Sequence, residues 1–315
     1  MKKKNIISTI LVILGGAALM AGIISCCTNA PNSTGEYITA KGDVEWAGCR
    51  SSEYGIDPFP TASKWVSYVN KMSGYYEGSN GALIWIVGTI RQDKKDKKKN
   101  YCHLNFPKPS AVSDTTDILF SYDDEDENEA ALTAFDKAGF SVWLQVEPGD
   151  ADLVTLATIV MNKYKSHPCV KGFGIDVEWL KPAGTNGYGT KLSDSIAQNV
   201  DEAVKKINPN YSVFVKHWDS RWLPKTYRSD MIFVNDSQQF GSLEEMQEDF
   251  QKWANYYTPN GVMFQIGYEA DKALWNKNVF KNPARDLGGY LIDGLEQNGQ
   301  KRGIIWVDFT LTDVL

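Results

Sequence analysis

The 315-residue sequence has few of the residues and motifs that metal and cofactor chemistry require. It contains 3 histidines and neither a CxxC nor an HExxH motif, so no zinc site is predicted. It has no GxSxG elbow, which argues against a serine hydrolase. The net charge is −6 and the pI about 5.3, whereas nucleic-acid binders usually carry a basic face. We therefore expect no cofactor, no metal and no nucleic-acid partner.

An apolar run near the N-terminus predicts export and attachment to a membrane. Lys2, Lys3 and Lys4 precede "IISTILVILGGAALMAGIIS", and a basic start before an apolar stretch is typical of a secretory signal. The stretch Ile23-Ile24-Ser25-Cys26 resembles the lipobox of bacterial lipoproteins, which implies cleavage before Cys26 and lipidation of that residue. An uncleaved anchor stays open as the alternative, since about 20 apolar residues span a bilayer.

These features divide the chain into three parts. Residues 1–26 are predicted to be the signal peptide, residues 27–36 a flexible tether of small polar residues, and residues 37–315 the folded domain. Either form of attachment places the domain at the bacterial cell envelope, outside the cytoplasm, on the outer or the cytoplasmic membrane. Three cysteines fall in the domain. A Cys49–Cys102 disulfide is open in an exported protein, and Cys169 is predicted to be a buried thiol.

Short apolar runs alternate with amphipathic segments over most of the domain. Eight runs have strand length and are rich in β-branched or aromatic residues: 82–88, 117–122, 141–147, 172–178, 211–217, 230–236, 261–267 and 303–309. Segments with helical spacing lie at 128–139, 150–166, 191–207, 242–257 and 283–299. This alternation predicts a single-domain (β/α)₈ TIM barrel. An open doubly wound sheet is the alternative, but "IVGTIRQDKKD" supplies no Gly-rich phosphate loop.

Two acids lie two residues apart in the fourth run, "GFGIDVE". Alternate strand residues share a face, so Asp176 and Glu178 are predicted to point into the barrel at its carboxyl-terminal end, where active sites of this fold lie. The third run places Trp143 and Glu147 on a common face in the same way. Two carboxylates held close repel, so one pKa rises, and an acid that stays protonated can donate a proton to a leaving group. Cleavage of glycosidic bonds requires such a division of roles.

The sequence "KGFGIDVE" resembles the fourth-strand signature DGxDxDxE of glycoside hydrolase family 18, the chitinases and endo-β-N-acetylglucosaminidases. The resemblance implies a retaining, substrate-assisted mechanism in which Glu178 is the general acid and Asp176 orients the N-acetyl group of the substrate. It also implies that Trp306, in the eighth run "GIIWVDF", lies beneath the reactive sugar.

The motif departs from the family pattern at several positions. Lys171 and Gly174 stand where the family has its first two acids, so the inner Asp that shares a proton with Asp176 is absent. "LQVEPG", with Glu147, replaces the third-strand SxGG stretch. Asn235-Asp236 stands where the family has Tyr-Asp, which predicts a hydrogen bond from Asn235 to the acetamido oxygen.

Other strand ends supply further candidate contacts to a substrate. Lys216 ends the fifth run and is a candidate partner for Glu178 or Glu147, while Gln265 and Tyr268 end the seventh. The predicted function is a glycosidase of the cell envelope that cleaves N-acetylhexosamine-containing glycans. Two alternatives stay open: a lipid-tethered barrel that binds glycans without cleaving them, and a muramidase like those of glycoside hydrolase family 25, acting on peptidoglycan.

Overall fold

The computed structural model describes residues 36–122 and 125–315, in which ten strands and eight α-helices follow one another. In the first half lie β1 (Trp46–Ser51), α1 (Ala62–Ser73), β2 (Asn80–Gln92), β3 (Asn100–Leu104), β4 (Ile118–Phe120), α2 (Glu129–Ala138), β5 (Ser141–Val146), α3 (Leu153–Tyr164) and β6 (Val170–Asp176). In the second half lie α4 (Asp194–Ile207), β7 (Ser212–Lys216), β8 (Ile232–Asn235), α5 (Leu243–Tyr257), β9 (Val262–Ile266), α6 (Lys272–Trp275), α7 (Pro283–Asp293), β10 (Arg302–Trp306) and α8 (Leu311–Val314).

Eight of these strands form a closed parallel barrel. Its order is β1-β2-β5-β6-β7-β8-β9-β10, and β1 closes the ring because it pairs with both β2 and β10. Helices connect most of the strands and cover the outside of the ring. The predicted (β/α)₈ barrel is therefore confirmed, and the open doubly wound sheet is excluded.

The prediction of one barrel strand was wrong. The run at 117–122 contains only the short strand β4, which pairs with β3 outside the ring, while β3 pairs antiparallel with the long strand β2. The first barrel strand is instead β1, "WAGCRS", whose six residues are all buried. Because β1 contains small residues and an arginine, it has no apolar run by which it could be predicted. Gly48 is required there because a Cβ atom would lie 1.7 Å from the Ala82 carbonyl oxygen on β2.

The predicted helical segments all contain a helix, and side chains mark where several of them begin. Asp152 accepts a hydrogen bond from the Thr155 amide at the start of α3, and Ser242 does the same for Glu245 at the start of α5. Gly139 ends α2 in the left-handed conformation, with φ 72°. Helix α1, which follows the unpredicted strand β1, was also not predicted.

Apolar side chains fill the amino-terminal half of the barrel interior. They come from seven strands and form one cluster: Trp46, Ala82, Ile84, Trp143, Phe214, Ile232, Val234, Met263 and Ile305. The larger outer core lies between the strands and the helices and contains the opposite strand faces, such as Phe173 and Ile175 of β6. The buried polar residues that point into the barrel lie at the carboxyl-terminal end of the ring.

The three cysteines of the domain are buried free thiols. The possible Cys49–Cys102 disulfide is therefore absent, while the prediction for Cys169 is confirmed. Across the two described ranges, no helix combines the length and the apolar character needed to cross a bilayer. The predicted signal peptide, its Cys26 and nearly all of the tether lie outside those ranges.

Candidate active site

The acid pair of the fourth barrel strand lies at the carboxyl-terminal mouth of the ring. Strand β6 ends at Asp176, and the next three residues form a 3₁₀ turn that carries Glu178. The strand therefore begins and ends two residues earlier than the predicted run 172–178. Both carboxylates nevertheless reach the same ammonium group, that of Lys216 at the end of β7. Asp176 lies directly opposite Lys216 in the β6–β7 register.

Lys216 is the centre of a cluster of three acids. Its Nζ atom lies 3.0 Å from Asp176 Oδ2 and 3.4 Å from Glu178 Oε1, and it also binds Asp236, the first residue after β8. The side chains of Lys216, Asp176 and Asp236 are 5%, 2% and 5% exposed, whereas that of Glu178 is 23% exposed. Of the acids in this cluster, Glu178 is thus the one best placed to touch a ligand.

Glu178 and Asp236 bind the same Lys216 ammonium group, and their pKa values shift in opposite directions. Burial and the nearby charge of Asp236 raise the pKa of Glu178 well above its ordinary value. Burial acts to raise the pKa of Asp236 too, but chiefly the charge of Lys216 outweighs it and lowers that pKa. Near neutral pH, Glu178 is therefore the protonated acid of the two and Asp236 the ionised one.

Asp176 lies deeper and has its own partners. Gln145 Nε2, on β5, donates a hydrogen bond of 3.3 Å to Asp176 Oδ2. Burial raises the pKa of Asp176 to about 7, against the opposing effect of the Lys216 charge. The Asp176–Lys216 pair thus holds a carboxyl group whose charge changes near neutral pH.

Phe214 occupies the space of the acid that the family pattern places before Asp176. A Cβ atom on Gly174 would lie 2.1 Å from Cζ of the Phe214 ring, which points into the barrel from β7. Gly174 is therefore required by packing, and no inner acid fits beside Asp176. Lys216, two residues along the same strand face as Phe214, supplies the partner that Asp176 would otherwise lack.

A second polar cluster lies around Glu147, the first residue after β5, which is the neighbour of β6 in the ring. Its two carboxylate oxygens accept hydrogen bonds from the Tyr54 hydroxyl and, at 2.9 Å, from the Ile90 amide. Burial raises the pKa of Glu147, although both hydrogen bonds oppose the shift. Near it, Arg50 forms an ion pair of 3.0 Å with Asp308, which the Ser52 amide and hydroxyl also bind.

Sequence reasoning missed Arg50 and Tyr54 because it missed β1. Arg50 is the fifth of the six residues of β1, all of which are buried. A lone arginine in such a short segment indicates the polar end of a strand rather than a loop. Its guanidinium group lies under the rings of Tyr54 and Phe309, at 5.7 and 4.8 Å from their centroids. The two rings stack on each other and are 38% and 44% exposed.

Gln265 and Tyr268 also lie at this end of the barrel. Gln265 points inward from β9 and is hydrogen-bonded to the Tyr268 hydroxyl, and both residues are buried. Burial and the charge of Asp236 raise the pKa of Tyr268. The structure therefore brings Asp176, Glu178, Asp236, Lys216, Glu147, Gln265 and Tyr268 to one end of the ring.

Three predicted contact residues lie elsewhere. Trp143 is inside the barrel but near its amino-terminal end, beside Trp46. Asn235 points outward and donates a hydrogen bond of 3.0 Å to Asp249 on α5. Trp306 is fully buried in the outer layer against Trp275, so it does not lie beneath a sugar in the mouth. These placements correct the predictions for all three residues.

Exposed aromatic rings surround the mouth on the side of β6 and β7 as well. Trp179 and Trp218 are 40% and 37% exposed, and the Trp218 ring lies 4.7 Å from that of Tyr188. Rings of this kind combine a large apolar face with a polar edge. Within residues 36–122 and 125–315, no group of three or more His, Cys, Asp or Glu side chains is arranged to hold a metal ion. The site therefore offers proton transfer by Glu178 beside aromatic surfaces.

The sequence matches no family model and no curated protein. Among solved structures, one of the β-glucuronidase of Parabacteroides merdae is similar at 10% identity and a TM-score of 0.38, covering 60% of this chain and 26% of that chain. Another, with glycerol in the active site, is similar at 9% identity and a TM-score of 0.44, covering 84% and 31%. This chain thus spans less than a third of the matched chains, and a likeness at this level carries no argument about function.

Proposed function

We propose that this protein is a glycoside hydrolase in which Glu178 is the general acid. One observation carries the proposal: the most exposed acid of the Lys216 cluster is also one whose pKa burial and the charge of Asp236 raise well above its ordinary value. Protonation of the glycosidic oxygen requires a carboxylic acid that is protonated near neutral pH and reaches the substrate. The aromatic rings beside it suit the apolar faces of sugar rings.

Asp236 and Lys216 keep Glu178 ready for this step. Asp236, by its charge, disfavours the ionised form of Glu178. Lys216 balances the charge of Asp236 and holds it in place. After transfer of the proton, the Glu178 carboxylate lies near the ammonium group, which stabilises the new charge.

The proposed substrate is a glycan that contains N-acetylhexosamine, cleaved with retention. The resemblance of "GIDVE" to the family 18 signature supports this choice. Asp176 would orient the acetamido group, which attacks the anomeric carbon as the proton leaves Glu178. Its ion pair with Lys216 and its hydrogen bond with Gln145 fix the orientation of its carboxylate.

Substitution of Glu178 tests the assignment. We expect Glu178→Gln to lower kcat on a chromogenic chitobioside by about 10²- to 10⁴-fold, with little change in KM, because general acid catalysis contributes that much. Glu269→Gln changes an exposed carboxylate just after β9 and should leave kcat unchanged. Equal turnover by Glu178→Gln and the unchanged protein would remove Glu178 from the mechanism.

A thiazoline inhibitor tests the participation of the acetamido group. Inhibition of turnover would support the substrate-assisted mechanism. An active enzyme that the thiazoline does not inhibit, and that releases products from peptidoglycan, would instead support the muramidase alternative.

A barrel that binds glycans without cleaving them is the second candidate. It is favoured by the contacts of Lys216, whose ammonium group binds all three acids in the absence of substrate. Calorimetry on a glycan panel separates the two candidates. Saturable binding without any turnover, and with no effect of Glu178→Gln on affinity, would favour the binding protein.

We further propose that the protein acts at the bacterial cell envelope, attached through a lipid on Cys26. The basic residues and the apolar run before "IISC" support this proposal. Labelled palmitate should be incorporated into the expressed protein and not into a Cys26→Ser variant. Equal labelling of both proteins would contradict lipidation at Cys26.

A further inference from the structure

A cavity of about 340 Å³ lies next to the candidate active site, above the carboxyl ends of β1 and β2. Its walls come from the segment after β1, from β2 and from the start of α2. The lining includes Ser52, Glu53, Phe59, Trp85, Thr89 and Asn128. We refer to it as the Phe59 cavity. Its volume lies within the range of small-molecule sites, which begins at about 300 Å³.

Phe59 gives the cavity a fixed aromatic surface. One side of its ring packs against Trp65 and Trp85, with centroids 5.7 and 5.8 Å away. The residue is nevertheless 47% exposed. A ring that other aromatic residues hold in place, and that solvent still reaches, loses little conformational freedom when a ligand packs on it.

Polar groups at the back of the cavity are held in place as well. Asn128 accepts a hydrogen bond of 2.7 Å from Trp85 Nε1 and donates to Tyr164 at 2.9 Å. Glu53 accepts a hydrogen bond of 3.3 Å from the Thr89 hydroxyl and forms an ion pair with Arg91. The cavity therefore combines one apolar surface with a preformed polar wall.

The walls of the cavity and the Glu147 cluster are built from the same two segments. Tyr54, which follows Glu53, donates its hydroxyl hydrogen to Glu147, and Ile90, which follows Thr89, donates its amide to the same carboxylate. Ser52, in the cavity wall, binds Asp308. The cavity therefore adjoins the Glu147 cluster through the segment after β1 and through β2.

We propose that the Phe59 cavity is a second sugar subsite, which binds a neutral pyranose unit of the same glycan with its apolar face on Phe59. The proposal rests on the proposed function, in that the ligand is a glycan with one unit at the mouth. The neutral class follows from charge. The residues of the described ranges that line the cavity include no lysine or arginine, and Arg91, the cation beside Glu53, is already paired with that acid. A sugar carboxylate would therefore meet no lysine or arginine of that lining there.

Binding of oligosaccharides of different length tests the subsite. In the full chain carrying Glu178→Gln, so that no probe is cleaved, we expect Phe59→Ala to weaken chitohexaose binding at least fivefold. Binding of chitobiose should change less than twofold. Glu53→Trp fills the cavity without removing the Phe59 ring and should have the same selective effect. Tyr256→Ala removes a similarly exposed ring from α5 and should change neither affinity.

Each other result has a defined meaning. Three results would overturn the subsite. Phe59→Ala could weaken the affinity for chitohexaose and chitobiose equally, or leave the affinity for chitohexaose unchanged. The third is that neither chitohexaose nor cellohexaose binds in a way that depends on Phe59. Hexagalacturonate binding as tightly as chitohexaose in a Phe59-dependent way would overturn the neutral class. Binding is measured separately from turnover. If the protein with Glu178 intact cleaves no glycan while the Phe59 effect on binding is seen, the proposed hydrolase is contradicted and the proposed subsite still stands. Thermal unfolding of each variant detects a loss of folding.

Discussion

At the scale of single residues, Lys216 determines how three acids share one buried site. Its ammonium group contacts Asp176, Glu178 and Asp236, and burial of its pairs with Asp176 and Asp236 leaves little solvent screening there. Burial acts to lower the pKa of Lys216, but the acids outweigh this effect and raise it. Lys216 therefore stays charged over the whole working range of pH.

Removal of this charge should destabilise the protein strongly. We expect Lys216→Met to lower the free energy of unfolding by about 3–5 kcal/mol, since removal of one partner leaves buried acids uncompensated. Denaturant titration at neutral pH measures the change. Lys171→Met removes an exposed lysine from the same sheet, on β6, and should change stability by less than about 0.5 kcal/mol. A similar small effect of both variants would show that Lys216 does not hold the cluster together.

Asp236 should set the alkaline limit of activity. Its charge is the second cause, after burial, of the raised pKa of Glu178, so Asp236→Asn should lower that pKa. The rate requires protonated Glu178 and falls as pH rises through this pKa, so the alkaline limb should move to lower pH. The pH profile of kcat/KM measures the shift, with Asp230→Asn, an exposed acid before β8, as the control. An unmoved alkaline limb would rule out this role for Asp236.

At the scale of secondary-structure elements, the side that a residue takes on its strand decides which predictions succeeded. In β6 one strand face has glycines and an acid and the other has Phe173 and Ile175, so alternation identified the inner face correctly. In β10 and β8 both faces are apolar, and alternation cannot tell them apart. Trp306 and Asn235 were assigned to the site from the family resemblance, and the structure turns both side chains outward. Strand β1 has no apolar run, so the residues it positions were not predicted.

Packing in the β6–β7 pair should prevent restoration of the missing acid. We expect Gly174→Asp to destabilise the protein by about 3 kcal/mol or more, because the new Cβ atom would overlap the Phe214 ring. Phe214→Ala alone should cost about 3–5 kcal/mol by creating a cavity. The double variant should be more stable than the sum of the two losses predicts, by about 0.5–3 kcal/mol. Additive losses would mean that Phe214 does not exclude the acid.

At the scale of the whole molecule, the acid cluster links stability to pH. Burial raises the pKa values of Asp176, Glu178 and Glu147 in the folded protein. The pKa of Asp236 is lowered instead, so its contribution to the pH dependence of stability has the opposite sign and is confined to pH values below the ordinary pKa of an Asp. A raised acid pKa contributes stability that is complete below the unfolded value and is lost as pH rises through the folded value. The barrel should therefore be more stable in mildly acidic solution than at neutral pH.

Asp176 offers a direct test of this linkage. Its pKa is about 7 in the folded protein and 3.8 is its ordinary value, so its contribution should decline between these two limits. Asp176→Asn removes the titrating group, and we expect the decline in unfolding free energy from about pH 4 to pH 7 to be smaller by about 1 kcal/mol or more. Denaturant midpoints at several pH values measure the slope. A variant with the same slope as the unchanged protein would contradict the raised pKa.

The three buried thiols can be used to measure local unfolding of the barrel. Cys49 lies on barrel strand β1, Cys102 on the outer strand β3 and Cys169 just before β6, and burial raises the pKa of each thiol. A maleimide reagent reacts with exposed thiolates, so the native domain should be inert to it. The position of the first alkylated cysteine under mild denaturation then identifies which part of the barrel wall separates first, without any engineered label.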